Sequence, residues 1–433
     1  MRSSSSAERA VLPIALDDPR AADPAVAGAK AAALARARRA GLPVLPGVVL
    51  PVAAAGPAVA AARHALAERG VGGARPAAGA VGVPAPLRAA MAAAVDRLGG
   101  RVIARSSSPL EADHRWSGAF SSICEVRAAD VATAVRSCWA AAFAPDPLER
   151  ARHSGYDPAE LALAVLLQPE IAPETGGLIR LDGDRAQVTA VAGHPGALLS
   201  GWVTGQTYRV DARTGRPEPV AETRPVLGDD AIAELVELAR RTHRHTGGDL
   251  LEWALAAGRL HLLQVGRQER GATAPGPPAS GRPGTGLPAL PGAGRRVTGT
   301  VSVAGDAVGP LRYVQPHQPY QHTTTGGILV CDRPVPALAP LLFGARGLVS
   351  IAGPVDCHLV EVARALGVPT LLHTPVERIT GGLDRINTVD WLAAIDGARS
   401  ELVVLPAPAG RPSQHDLPSA VRTFTSALEP TRR

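Results

Sequence analysis

The chain has 433 residues, 46% hydrophobic and 19% charged, with a net charge of +6. That is long enough for two or three domains with their own cores, and too apolar for a disordered chain. Its arginines are scattered, without a basic run or aromatic interleaving, which argues against nucleic-acid binding; no apolar run approaches the roughly 20 residues of a membrane span.

The N-terminal Met-Arg-Ser-Ser-Ser-Ser lacks the apolar core of a signal peptide. Cys124, Cys138, Cys331 and Cys357 form no CxxC pair and no metal spacing. The expectation is a reduced, cytoplasmic protein without a membrane partner. The surplus positive charge suits a phosphate-rich small ligand. Among 45 basic residues, Lys30 is the only lysine. In a chain biased to Ala, Gly, Pro and Arg, a lysine that persists marks a place needing a compact ammonium rather than a planar fork, unless chance kept it.

In chain order, Lys30 opens an Ala-rich helix that Gly41 ends, and Pro43 and Pro46 flank a short strand. Residues 53–98 are Ala-rich and helical. Val102-Ile103-Ala104 reads as a strand with Arg105 at its end, followed by Ser106-Ser107-Ser108. A guanidinium among hydroxyls is a reasonable phosphate fork, although Arg-Ser-Ser is more commonly a surface loop. A small-residue loop follows at Ser117-Gly118-Ala119-Phe120-Ser121-Ser122. Residues 131–143 read as a helix. Residues 161–170 read as a buried strand ending in Gln168-Pro169-Glu170. Residues 176–179 read as another strand, and 231–243 as a helix.

Residues 248–255 and 260–264 form a hairpin pattern around Ala257-Gly258. Alternation places Glu252 and Gln264 on one side of adjacent strands. A carboxylate and an amide oxygen facing one cleft suit a Mg²⁺ ion bridging nucleotide phosphates, though two such residues alone are weak support. Residues 268–296 are rich in Pro and Gly without periodicity, which marks a linker and a domain boundary.

Strand patterns resume over 297–314, 326–330 and 347–351. Gly353-Pro354 then forces a turn, and a helix follows with Leu359, Val362, Ala363 and Leu366 on one face. Asp356 is the expected N-cap and Gly367 the expected C-cap residue. His358 therefore lies in the first helical turn, at a strand-to-helix corner. Free N–H groups there favour an anion and a neutral, nucleophilic ring. A lone histidine at a helix start is more often a cap or a surface residue. Residues 394–405 close the domain, and 406–433 form a Pro- and Ser-rich tail.

Two groups of motifs resemble one family, the phosphoenolpyruvate synthases, pyruvate phosphate dikinases and rifampicin phosphotransferases. Cys357, His358, Ala363, Arg364, Gly367, Val368 and Pro369 match its phosphohistidine motif. Gly28 and Lys30, the Arg105-Ser106-Ser107 run, Gly118 and Ser122, Gln168, and the Glu252/Gln264 hairpin match its nucleotide domain in the same order. The chain departs from the pattern where Ala29 replaces a glycine, Gly196 a glutamate, Pro354 a glycine and Asp356 a threonine. Arg267 is displaced by one residue.

The resemblance implies an α/β (α+β) protein. A two-lobed ATP-grasp-like domain would occupy residues 1–267. A swivelling β/β/α phosphohistidine domain would occupy 297–405, after the 268–296 linker. It implies ATP and Mg²⁺ as ligands, with Glu252 and Gln264 on the metal. Lys30, Arg105, Gly118, Ser122, Gln168, Glu170 and Arg267 would lie on the nucleotide, and His358 would be the phosphoryl carrier assisted by Lys30 and Arg105. The large acceptor domain of relatives is not recognised in the sequence. Three readings stay open: a phosphotransferase acting on a small molecule, an ATP-driven ligase or condensing enzyme as in natural-product assembly, and a carrier or degenerate subunit serving a separate acceptor-binding protein.

Overall fold

The computed structural model describes residues 11–218, 225–267, 294–316 and 326–406. The architecture is α+β, in two compact units. The first comprises Met1–Gly196 and Gly205–Gln268, and the second Ala197–Thr204 and Glu269–Arg433.

The first unit is built on two five-stranded antiparallel sheets. One runs Ile14–Ala15, Val48–Leu50, Ala164–Pro169, Val102–Ser107, Ser122–Val126 in spatial order. The other runs Arg259–Gly266, Leu250–Ala256, Thr175–Asp182, Arg185–Ala192, Gln206–Asp211. The helix Pro24–Arg39 packs into a core shared with strands of both sheets. Its buried face is almost entirely alanine, with Leu34 fully covered, so the backbone can lie close to its neighbours.

That helix begins at Pro24, capped by the Asp23 carboxylate, rather than at Lys30 as the sequence reading has it. A break at Gly28 (φ +73°, ψ 164°) divides it, and Lys30 lies just beyond the break. A Cβ at Gly28 would sit 2.2 Å from the Ser107 carbonyl oxygen, so the position demands glycine. At the other end Gly41 adopts φ +74°, and Gly41 and Leu42 donate N–H groups back to Arg38 and Ala37. This is the expected glycine stop. The strand expected between Pro43 and Pro46 is instead an isolated bridge from Val44 to Leu262; the regular strand is Val48–Leu50. The two prolines lack the N–H groups that a ladder needs.

The Ala-rich region forms the helices Gly56–Arg69, Val71–Ala80 and Ala85–Arg97. They cover the first sheet around Leu87, Met91, Trp116 and Trp139. The 131–143 and 231–243 patterns become helices Val131–Ala141 and Asp229–Thr246.

The second unit holds an eight-stranded mixed sheet. Ala307–Tyr313, Ile328–Cys331, Gly347–Ser350 and Thr370–Leu372 are parallel neighbours, flanked by antiparallel strands that include the closing pair Trp391–Asp396 and Glu401–Pro406. Ile328–Cys331, Gly347–Ser350 and Thr370–Leu372 are buried throughout, as befits parallel strands inside a sheet. Its first described strand, Arg295–Thr298, begins within the segment assigned above to the linker; most of that segment, and nearly all of the tail, lie outside the described residues.

Candidate nucleotide site

Arg105 lies inside its strand, not at its end, because Val102–Ser107 continues pairing with Ala164–Pro169 to Ser107. The serines that looked like a loop are buried in the ladder. Arg105 is itself buried. Its Nη1 donates to the Leu263 carbonyl at 2.6 Å and to Gln168 Oε1 at 3.3 Å, and its Nη2 stands 4.0 Å from Glu252 Oε2. Arg105 and Gln168 belong to one sheet, Leu263 and Glu252 to the other. The cluster therefore spans the two lobes of the first unit.

The hairpin register explains how the second sheet supplies its partners. Gln264 lies directly opposite Glu252 because the register shifts between Leu262 and Gln264; unshifted pairing would have put Leu263 there. Leu263 is the extra residue, and its carbonyl leaves the ladder to meet Arg105. The turn Ala257-Gly258 has φ of +49° and +68°, the two-residue turn that matches strand twist.

Burial pulls the Arg105 guanidinium pKa down, and Glu252 and Glu111 oppose that pull. Burial pushes the Glu252 carboxyl up from its ordinary value, against the attraction of Arg105 and Lys30. A buried acid and base so placed each lower the desolvation cost of the other.

Lys30 approaches from the Ala-rich helix. Its Nζ donates to the Ser106 carbonyl at 3.2 Å and pairs with Glu111 Oε1 at 3.1 Å. Gln168 is buried and donates through Nε2 to the Leu45 carbonyl. Ser122 sits beside Arg105 in register on the adjoining strand, and Gly118 has φ +67° in the loop before it. Glu170 Oε2 accepts from the Glu125 N–H at 3.0 Å and lies 3.5 Å from Arg101 Nε, at the rim.

Arg267 is placed differently. It is exposed, and its Nη2 donates to the Thr246 carbonyl at 3.2 Å, closing the C-terminus of helix Asp229–Thr246. Its contact is with that helix end rather than with the Arg105 cluster.

Sequence reasoning missed two contributors, Glu111 and the Leu263 carbonyl, and read His194 as a loop histidine that could compensate for the glutamate replaced by Gly196. The Gly196 N–H donates to His194 Nδ1 at 3.0 Å, which leaves the proton of the neutral ring on Nε2. Burial and the nearby Arg105 charge hold its pKa below the ordinary histidine value.

His358 lies in the second unit. It is the first residue of helix His358–Ala365, as the sequence reading placed it. Asp356 is not the cap, however: Cys357 occupies the N-cap position without a side-chain cap bond, and its Sγ donates to the Pro334 carbonyl at 3.4 Å. Asp356 is instead buried in the preceding turn. At the far end Gly367 adopts φ +66°, and the Gly367 and Val368 N–H groups return to Arg364 and Ala363.

Residues 24–223 match the family described as pyruvate phosphate dikinase, AMP/ATP-binding domain. This stretch is similar to that family. The chain is 26% identical over 331 residues to a probable phosphoenolpyruvate synthase of Methanothermobacter thermautotrophicus, covering 69% of this chain and 46% of the relative. It is 25% identical to the phosphoenolpyruvate synthase of Pseudomonas aeruginosa, covering 63% of this chain and 40% of that one. A rifampicin phosphotransferase of a Streptomyces species is 28% identical over 225 residues, 44% of this chain and 26% of the relative. The chain thus matches less than half the length of each of these relatives. The match to the AMP/ATP-binding domain takes in Lys30 and Arg105 of the cluster and ends before Glu252.

Among the described residues, no three His, Cys, Asp or Glu side chains gather as a metal site, and no single helix is long and apolar enough to cross a membrane. The first unit does offer hard oxygen donors, the Glu252 carboxylate and the Gln264 amide, on one rung. That donor set fits a magnesium ion that takes its remaining ligands from phosphates and water.

Proposed function

We propose that the protein is an ATP-dependent phosphotransferase of the dikinase type, in which His358 carries the phosphoryl group from ATP to a small-molecule acceptor. The reading is supported above all by the convergence of Lys30, Arg105 and Glu252, from one helix and two sheets, in the unit that carries the match to the AMP/ATP-binding domain. No single motif predicts that convergence.

Lys30 and Arg105 would neutralise charge that builds on the phosphate oxygens as a P–O bond breaks. Gln168 and Ser122 would line the nucleotide, with Gly118 letting the covering loop approach and Glu170 at the rim. Magnesium bound by Glu252 and Gln264 would withdraw further charge from those oxygens. The His358 ring nitrogen attacks phosphorus, and the electron pair of the broken bond leaves with AMP. Water then attacks the terminal phosphorus, the bridging P–O bond breaks with its electron pair kept by the β-phosphate, and Pi departs to leave one phosphoryl group on the ring. Its position at the head of a helix offers backbone N–H groups to that anion. The acceptor then takes the phosphoryl group, and the N–P pair returns to the imidazole.

Incubation with β- and γ-labelled ATP tests the relay. The expected result is AMP and Pi, with acid-labile β-label on the wild type and none on His358→Ala. Equal labelling of both would overturn it.

A further inference from the structure

We propose that Glu111 is the positioning residue of the ATP site: it holds the Lys30 ammonium so that one N–H is aimed at nucleotide phosphate. The inference rests on the reading of the Arg105 cluster as a nucleotide site, and adds a residue to which no role was assigned.

Glu111 has both carboxylate oxygens committed. Oε2 accepts from the Ser108 N–H at 2.9 Å, and Oε1 meets Lys30 Nζ at 3.1 Å. The first contact is half of a capping box on the short helix Pro109–Ala112, whose other half is the Ser108 hydroxyl accepting from the Leu110 N–H. The carboxylate is therefore anchored to backbone before it reaches the lysine. Lys30 is anchored to the same segment from its own side. The Ala29 N–H donates to the Ser108 carbonyl at 2.9 Å, and the Ala31 N–H to Ser107 Oγ at 3.0 Å. Gly28 lies flat against Ser107, where no side chain fits. The backbone on both sides of Lys30 and the residues flanking Glu111 form one frame.

An ammonium has three N–H donors. Ser106 and Glu111 take two of them, and tetrahedral geometry fixes the direction of the third. Both side chains are only 11% exposed, so the pair is shielded from water and its geometry is worth more than at a surface. The frame also accounts for the single lysine of the chain. The gap between a carbonyl and a carboxylate suits a compact charge; a guanidinium would spread its donors over a plane.

The test is direct binding of ATP and of adenosine, with the ratio of the two affinities as the readout. Glu111→Gln keeps an acceptor for the Ser108 N–H and removes the negative charge that faces Lys30. Its ATP preference over adenosine is expected to fall about tenfold, the scale of one charge-assisted hydrogen bond. Adenosine affinity stays at the wild-type value, while Tm falls modestly because the shielded Lys30 loses its ionic partner. Glu111→Asp, which keeps the charge but withdraws it by one methylene, falls in the same direction. Lys30→Met/Glu111→Gln is expected to bind ATP no worse than Lys30→Met alone, because Glu111 acts through Lys30. An unchanged or raised ATP preference in Glu111→Gln overturns the inference, as do additive losses in the double variant. Absence of any ATP preference in the wild type would overturn the nucleotide reading itself, a separate result.

Discussion

Arg105 and Glu252 reach each other from different sheets, Nη2 to Oε2 at 4.0 Å, with almost no water around either. At that separation the pair offers two charges to a ligand rather than a closed salt bridge. A triphosphate with its metal would take both, the cation on phosphate and the carboxylate on the metal.

The pH dependence of nucleotide binding follows from Glu252. Burial raises its pKa, so the ionised form that a metal needs is lost earlier on acidification than for an ordinary carboxylate. Affinity for Mg·ATP is expected to begin falling at a pH above 4.5, the unshifted value. Calorimetric titration across pH reads this directly. Glu252→Gln should bind more weakly and lose that pH dependence; a wild-type profile flat down to pH 4.5 would contradict the assignment.

Removing Arg105 leaves more than one vacancy. Arg105→Ala strands the Leu263 carbonyl and leaves Glu252 buried without its principal counter-charge. Loss of one partner of a buried pair costs about 3–5 kcal/mol. A fall in Tm of several degrees, partly rescued in Arg105→Ala/Glu252→Gln, is the expected outcome in thermal melts.

Lys30→Arg keeps the charge and should still lose ATP turnover by about a hundredfold, since the fork cannot satisfy Ser106 and Glu111 as the ammonium does. AMP release per unit time is the measurement, with Tm as the control for folding. Full activity would remove the argument from the single lysine.

Gly28→Ala is expected to be destructive although the change is one methyl group. It forces an L residue to φ +73° and drives Cβ into the Ser107 backbone at 2.2 Å. Strain of this kind costs at least about 1–3 kcal/mol, and relief requires the Lys30 frame to shift. ATP affinity should fall together with Tm.

Much of the local structure was readable from the chain because it depends on short-range rules. Gly41 and Gly367 stop helices where their left-handed φ is needed. Ala257-Gly258 turns a hairpin, while the pairing of Glu252 with Gln264 depends on the bulge at Leu263. Where the reading failed, longer-range pairing prevailed. Ser106 and Ser107 look like loop residues, yet a neighbouring strand extends the ladder through them. Asp356 has the chemistry of a cap, but Cys357 takes the position and bonds to Pro334, a residue distant in sequence. Arg267 sits near the metal-type hairpin in the chain and closes a helix end in space.

Residue type and order alone showed the resemblance to the dikinase family, the single lysine, and a histidine at the head of a helix, since motif spacing and helix signals are local properties of a chain. Tertiary structure alone decided that Glu111 grips Lys30, that a bulge turns the Leu263 carbonyl toward Arg105, and that two sheets share one buried ion pair. Those contacts join residues up to 158 positions apart, and only packing of one sheet against another brings such distant groups within hydrogen-bonding range.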